Sequence, residues 1–197
     1  QEADITAAIH KAAAVVIGPG LGQEAGAERL LDLVLQEAEK LPELPVVIDA
    51  DGLNLLAKKR LYSTLGRQYV LTPHLREMSR LSGKSVQEIA DDMTSAVMGQ
   101  QAGATIVLKD ARTLVSDGDW LYINLSGNSA LSTGGSGDVL SGMIGGLLAQ
   151  GCTQRTAATL AVYMHGLTAE QYCESAPPHC MLARDILEMI PKIGGNS

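Results

Sequence analysis

Short runs of β-branched and aliphatic residues alternate with longer segments of helical periodicity, and this alternation constrains the fold more than any other feature of the chain. The runs predict strands at residues 14–17, 45–49, 69–72 and 105–109. Each run is apolar at successive positions rather than at every second one, which is typical of parallel strands buried on both faces. We therefore expect an α/β fold with three layers, in which a mostly parallel sheet lies between two layers of helices.

Apolar residues at helical spacing predict the covering helices, and two apolar segments around the Asp117-Gly118 turn, residues 113–115 and 120–123, predict a β-hairpin. No linker, repeat or low-complexity segment divides the sequence, so we expect residues 1–197 to form a single domain. The chain begins at Gln1 and runs directly into an Ala-rich helical pattern, and we expect it to lack an N-terminal segment of a longer protein. The predicted helices are residues 24–40, 52–59, 75–81, 86–101, 139–149, 153–175 and 183–190.

The chain is acidic, with a formal net charge of −7, and no run of Lys or Arg offsets that charge locally. This balance argues against a nucleic-acid partner. The three cysteines form no CxxC pair, so we expect free thiols and a reducing, cytoplasmic compartment. No segment approaches the ~18 consecutive apolar residues of a membrane span, and we expect no membrane partner.

A glycine-rich loop at residues 133–137 is followed at once by an apolar helical pattern. Glycines leave backbone N–H groups uncovered, and a helix start adds unpaired N–H donors and the positive end of the helix dipole. Together these groups predict a binding site for an anion such as phosphate. Asp138 at this junction would repel a phosphate, so we interpret it as the base that takes a proton from a group beside the phosphate.

Polar motifs also follow each of the predicted parallel strands. They are the glycine-rich residues 18–22, Asp49 with Asp51, His74, and Lys109. Ligands of open parallel sheets bind at the carboxyl ends of the strands, where such motifs converge. We therefore expect one composite active site that is formed by these motifs and the glycine loop.

Each motif also has a purely structural interpretation. Residues 18–22 are equally typical of a tight turn, and Asp51 fits the N-cap of the following helix better than it fits a Mg²⁺ ligand. Lys109 suits either a phosphate contact or a solvated strand end, whereas for His74 we favour contact with the substrate. We interpret His165, which precedes Gly166 in an apolar helical pattern, as a packed histidine with satisfied hydrogen bonds rather than a ligand.

Taken together, these motifs resemble the ADP/ATP-dependent NAD(P)H-hydrate dehydratase family of the ribokinase-like superfamily, which also occurs as the C-terminal half of bifunctional repair proteins. The resemblance covers nearly the whole chain, and its specific blocks are residues 47–56 and 133–142. Supporting matches lie at residues 17–22, 71–74, 107–109, 128–132, 165–166 and 183–186.

The resemblance implies a ribokinase-like fold and a metabolite-repair reaction. NADH or NADPH that is hydrated at C6 of the nicotinamide would be phosphorylated on the C6 hydroxyl by ADP or ATP with Mg²⁺, and loss of phosphate would restore the dinucleotide. Asp138 would be the base, and the hydrated dinucleotide would also contact Gly22 and His74. The adenine nucleotide would be bordered by Lys109, Asp110, Ala111, Arg112, Thr113, Gly135, Ser136 and Gly137.

Two other functions stay open. A ribokinase-like kinase of a vitamin precursor would use the same base and anion site. A nucleotide-binding module without catalysis is the other alternative, because Asp110 and Arg76 stand where the family usually has glycine. The resemblance to bacterial members favours ADP over ATP as the donor. We also expect a homo-oligomer, because sheet edges and apolar helices favour association.

Overall fold

The computed structural model describes residues 2–99 and 103–193, and its centre is a six-stranded sheet whose strands lie side by side in chain order. The first four strands are parallel, and the last two form an antiparallel hairpin at one edge. The strands are β1 (Val15–Ile17), β2 (Val46–Ile48), β3 (Tyr69–Leu71), β4 (Thr105–Leu108), β5 (Leu114–Ser116) and β6 (Leu121–Ile123).

Helices cover both faces of this sheet. One face carries α1 (Glu2–Ile9), α2 (Ala25–Lys40), α3 (Ala50–Lys59), α4 (Leu75–Ser82), α5 (Val86–Asp91) and α6 (Met93–Met98). The other face carries α7 (Ser136–Ala149) and α8 (Gln154–Cys173), against which α9 (Ala183–Met189) packs.

The continuous apolar runs are explained by this double cover. In β2, Val46 and Ile48 pack into the core beneath α2 and α3, whereas Val47 packs into the core beneath α7 and α8. Successive side chains of a strand point to opposite faces, so both kinds of position must be apolar. The three-layer arrangement predicted from the sequence is confirmed.

The predicted helix at residues 86–101 is wrong in one respect, because it is divided at Asp92. The Asp92 carboxylate accepts a hydrogen bond from the Ser95 N–H and so caps α6, while its backbone leaves the helical region. Residues 100 and 101 lie outside the described part of the chain. The remaining predicted helices are observed with ends shifted by up to three residues; the largest shift is in α7, which begins at Ser136.

The carboxyl ends of β1 to β4 meet at one edge of the sheet, where backbone hydrogen bonds continue beyond the strands. The N–H of Asp49 donates to the Ile17 carbonyl, and the N–H of Lys109 donates to the Pro73 carbonyl. These bonds bring the polar segments after the four strands side by side. Within the described ranges, no helix has both the length and the apolar character that a membrane crossing needs.

Candidate active site

A cleft of about 820 Å³ lies at this edge, between the strand ends and the first turn of α7. It brings together most of the residues that the sequence singled out, from the segments after β2, β3 and β4 and from the glycine loop. These are Asp49, His74, Lys109, Asp110, Ala111, Thr113, Ser136, Gly137 and Asp138.

The glycine loop forms the start of α7 as expected. Gly135 precedes the helix with a φ of 85°, in the left-handed region that glycine adopts without strain. The first-turn N–H groups of α7 have no intrahelical carbonyl partner because of their position, and the positive end of the helix dipole lies with them. Asp138 lies exposed in this first turn and lines the cleft. An acid thus stands beside N–H donors that are suited to a phosphoryl group.

A buried carboxylate, Asp49, ties three of these elements together beneath the loop. Its Oδ1 atom accepts hydrogen bonds from the Ala50 N–H at 2.8 Å and from Nζ of Lys109 at 2.9 Å. Its Oδ2 atom lies 3.0 Å from Oγ of Ser141 on α7. Asp49 is 1% exposed, so the charge of Lys109 is what makes its burial tolerable.

The Asp49–Lys109 pair lies directly under the first turn of α7. Nζ of Lys109 is 3.2 Å from the position that a Cβ on Gly137 would take. A side chain at Gly137 would therefore press on the ammonium group. The sequence left open whether Lys109 is a solvated strand end, and the structure places it in the cleft with an ion-pair partner.

His165 on α8 supports the loop from below. Its Nε2 atom lies 3.1 Å from the carbonyl oxygen of Ser136, which can only accept, and 3.2 Å from Oγ of the same residue. Burial, opposed by the hydrogen bond to the Ser136 carbonyl and aided by the nearby charge of Lys109, lowers the pKa of His165 to about 4. The prediction of a packed, hydrogen-bonded histidine is confirmed, although the ring also borders the cleft.

His74 caps α4. Its Nδ1 atom accepts hydrogen bonds from the N–H groups of Arg76 and Glu77, and the Glu77 carboxylate in turn accepts a hydrogen bond from the His74 N–H. The cap uses one ring nitrogen, and the half-exposed ring lines the cleft. Nε2, the other ring nitrogen, lies 3.5 Å from Oε1 of Glu77, so it borders both that carboxylate and the cleft.

The prediction that Asp51 caps α3 is wrong. Asp49 is the N-cap, and Asp51 lies inside the first turn. The Asp51 carboxylate instead accepts from the Gly22 N–H and from the Gln23 side chain, each at 3.0 Å. Asp51 thus fixes the loop after β1, and the Gly22 N–H is already engaged.

Three residues expected at the site lie outside the cleft wall in this structure, namely Gly22, Arg112 and Gly135. Conversely, the cleft is walled on one side by residues to which no individual role in the site was assigned from the sequence. The polar run after β6 could have been noticed, because it holds an Asn-x-Ser-Gly-Asn pattern at a strand end. These additional wall residues are Asn124, Ser126, Gly127, Asn128, Ser129 and Leu131, with Leu140 and Val162 from α7 and α8.

The described residues contain no group of three or more His, Cys, Asp or Glu side chains placed to hold a metal ion. Both oxygens of Asp49 are engaged by protein donors, and the Glu77 carboxylate is held by His74, which leaves Asp110 and Asp138 as the exposed carboxylates that line the cleft. This donor set does not form a protein cage for a resident metal.

Comparisons with known proteins agree on one family. A family model described as NAD(P)H-hydrate dehydratase matches residues 1–192. An ADP-dependent (S)-NAD(P)H-hydrate dehydratase of Neisseria meningitidis is 44% identical over 167 residues, which are 82% of this chain and 55% of that protein. A bifunctional NAD(P)H-hydrate repair enzyme of Coxiella burnetii is 38% identical over 93% of this chain and 36% of its own length. The chain thus spans between about a third and about half of these relatives.

Solved structures show the same fold. A ribokinase-like superfamily protein of Enterococcus faecalis superposes with a TM-score of 0.86 at 30% identity, covering 97% of this chain and 66% of that one. The ADP/ATP-dependent NAD(P)H-hydrate dehydratase of Bacillus subtilis, co-crystallised with ATP and Mg²⁺, gives a TM-score of 0.74 at 31% identity, covering 91% and 63%. The expected ribokinase-like fold is confirmed.

Proposed function

Because this chain belongs to the NAD(P)H-hydrate dehydratase family, we propose that it restores hydrated NADH or NADPH by nucleotide-dependent dehydration. The observation that carries the proposal is the position of Asp138 in the first turn of α7. There it borders the same cleft as the ammonium group of Lys109. A proton acceptor beside an anion site is what transfer of a phosphoryl group to a hydroxyl requires.

In the proposed reaction, the Asp138 carboxylate takes the proton of the C6 hydroxyl as that oxygen attacks the terminal phosphorus of the nucleotide. The new O–P bond forms as the bond to the leaving nucleotide oxygen breaks. The lone pair of the ring nitrogen of the tetrahydropyridine then expels phosphate from C6, and loss of a proton from C5 restores the C5=C6 double bond of the dihydropyridine. The protein contributes positioning and charge stabilisation rather than covalent chemistry.

The N–H group of Gly137 and the ammonium of Lys109 would stabilise the transferred phosphoryl group, whereas the N–H of Ser136 donates to the Thr133 carbonyl at 3.3 Å. Asp110, Ala111 and Thr113, which line the cleft, would border the nucleotide together with Arg112. Nε2 of His74 would donate to the hydrated dinucleotide in place of its present approach to the Glu77 carboxylate. Gly22 would approach that substrate through its Cα or carbonyl, because its N–H is bound to Asp51.

Mg²⁺ is proposed to arrive with the nucleotide. Mg²⁺ commonly keeps several water ligands and binds through substrate phosphates with one or two carboxylates. This mode agrees with a cleft that offers exposed carboxylates but no metal cage. ADP is the proposed donor, in line with the relative from N. meningitidis.

We also propose a reducing, cytoplasmic compartment and self-association. All three cysteines are free thiols. Strand β6 lies at an edge of the sheet, with Ile123 47% exposed and Leu125, just after it, 76% exposed. Sedimentation of the wild type and of Leu125→Glu tests the association: a smaller species in the variant supports it, and a monomeric wild type contradicts it.

A substrate comparison separates the three candidate functions. The complete protein is incubated with Mg²⁺, hydrated NADH and either ADP or ATP, and absorbance at 340 nm is followed. Nucleotide-dependent recovery of NADH is the expected result. Phosphorylation only of a hydroxyethylthiazole- or pyridoxine-type alcohol would identify a kinase, and nucleotide binding without turnover of either substrate would identify an inactive module.

A further inference from the structure

We propose that Asp49 is a positioning residue, which holds the ammonium group of Lys109 at the phosphoryl site so that it is in place before the nucleotide binds. The inference rests on the proposed function and assigns a role in it to a residue that does not itself contact the substrate. It also explains why a carboxylate is fully buried at the end of a central strand.

The geometry allows Asp49 little freedom. Its backbone is fixed at the end of β2 and the start of α3, and its Oδ1 atom also caps that helix through the Ala50 N–H. Its Oδ2 atom is held by the Ser141 hydroxyl, which is itself fully buried on α7. A carboxylate held from three sides gives the lysine that pairs with it a defined place.

Lys109 needs such a partner because of where it lies. Its side chain is 22% exposed, and its ammonium group sits under the first turn of α7, at the positive end of the helix dipole. A cation at a helix N-terminus is repelled by that dipole, and an unpaired lysine would turn toward water. The Asp49 carboxylate offsets this repulsion and keeps the ammonium next to Gly137.

Removal of the negative charge of Asp49 alone should therefore lower kcat without weakening the binding of the nucleotide. Asn is isosteric with Asp and caps helices equally well, so Asp49→Asn keeps the helix cap and the contact with Ser141. Without the carboxylate, Lys109 loses its fixed position but still carries its charge. We expect kcat to fall about 10²-fold, the cost of an Å-scale misplacement, while the nucleotide KM is unchanged or lower.

The decisive experiment is a double-mutant cycle of Asp49→Asn and Lys109→Met, with NADH recovery and ADP dissociation constants measured for each protein. If Asp49 acts through Lys109, Asp49→Asn changes kcat by less than about threefold once Lys109 is Met. Asp32→Asn is the matched control, because Asp32 pairs with Lys59 at 3.0 Å outside the cleft. We expect this control to change kcat by less than about twofold.

Ser141→Ala provides a second variant, which is compatible with the helix and removes only the hydroxyl that holds Oδ2. A fall in kcat of about threefold or more with unchanged nucleotide KM is expected. The inference would be overturned if Asp49→Asn and Lys109→Met lowered kcat independently, so that their effects multiply in the double variant. It would also be overturned if the nucleotide KM of Asp49→Asn rose in parallel with the loss of kcat.

An inactive wild-type protein would instead contradict the proposed function. In that case ADP affinity carries the test: Asp49→Asn should bind ADP at least as tightly as the wild type, whereas Lys109→Met should bind it more weakly. A loss of ADP affinity in Asp49→Asn as large as that in Lys109→Met would overturn the positioning role as well.

Discussion

The backbone of Gly18 passes so close to Asp49 that a Cβ on Gly18 would lie 1.8 Å from the Asp49 carbonyl oxygen. Gly18 also has a φ of 125°, a conformation that L side chains rarely adopt. The turn after β1 and the start of α3 are thus in direct backbone contact. The glycine-rich segment 18–22 is a tight turn that also sets the position of the buried carboxylate.

Gly18→Ala is expected to destabilise the protein by at least about 3 kcal/mol, because the added methyl group meets backbone atoms that cannot move aside. Gly20→Ala is the matched control, since Gly20 has a φ of 64° and nothing within 4 Å of an added Cβ. It should cost about 1–2 kcal/mol from the left-handed backbone alone. Urea unfolding of both variants measures the difference, and equal losses would contradict the close contact.

Gly145 on α7 meets the Val16 side chain of β1, where an added Cβ would lie 2.4 Å from Cγ2. Gly145→Ala should therefore destabilise the protein, although alanine favours the helix by about 1 kcal/mol. Combining it with Val16→Ala removes the clashing methyl group and should recover most of the loss. Gly146→Ala in the same helix has open space and should stabilise slightly. Thermal unfolding distinguishes these cases; a double variant no more stable than Gly145→Ala would show that the clash is not the cause.

The layers of the fold and the edge that holds the site could be predicted from the sequence, because apolar runs and strand polarity determine them. The role of Asp51 could not be predicted, since Asp49 and Asp51 both suit an N-cap. Which of the two carboxylates caps α3 depends on a contact distant in sequence, the hydrogen bond that the Gly22 N–H donates to Asp51. The pairing of Asp49 with Lys109 joins residues 60 positions apart, so local pattern carries no signal for it. The domain extent and the roles of the individual site residues stay predictions.

The stability of the protein should fall between pH 6.5 and pH 4 because of His165. Burial lowers the pKa of this imidazole to about 4, so over that range the unfolded chain binds a proton that the folded protein does not. The free energy of unfolding should lose about 2 kcal/mol from this group between pH 6.5 and pH 5. Well above pH 6.5, the imidazole is neutral in both states and the contribution is constant.

Urea unfolding of the wild type and of His165→Gln at pH 7 and pH 5 tests this linkage. The variant should be less stable at pH 7 but should lose less stability on acidification. Equal losses in the two proteins would show that His165 does not titrate as its burial implies.

Gly137→Ala should impair nucleotide use more than it lowers stability. The added methyl group would lie 3.2 Å from Nζ of Lys109 and 3.9 Å from Oδ2 of Asp49, so the flexible lysine must shift. Alanine is the better helix former by about 1 kcal/mol, which offsets part of the cost of a weakened Asp49–Lys109 pair, so the free energy of unfolding should fall by less than about 2 kcal/mol. We expect at least a tenfold fall in kcat/KM for the nucleotide, with Gly146→Ala as the control in the same helix. Unchanged kinetics in Gly137→Ala would contradict a phosphoryl site at this turn.

The central claim is that Asp138 accepts the proton of a hydroxyl that is phosphorylated at the start of α7. Its most direct test is the recovery of NADH from hydrated NADH with ADP and Mg²⁺, measured for the wild type, Asp138→Asn and Asp119→Asn. Asp119→Asn is the control, because Asp119 lies on the remote hairpin turn. We predict that the wild type and Asp119→Asn form one AMP per NADH, whereas in Asp138→Asn kcat falls about 10²–10⁴-fold and ADP still binds. Recovery of NADH by Asp138→Asn at the wild-type rate would contradict the account.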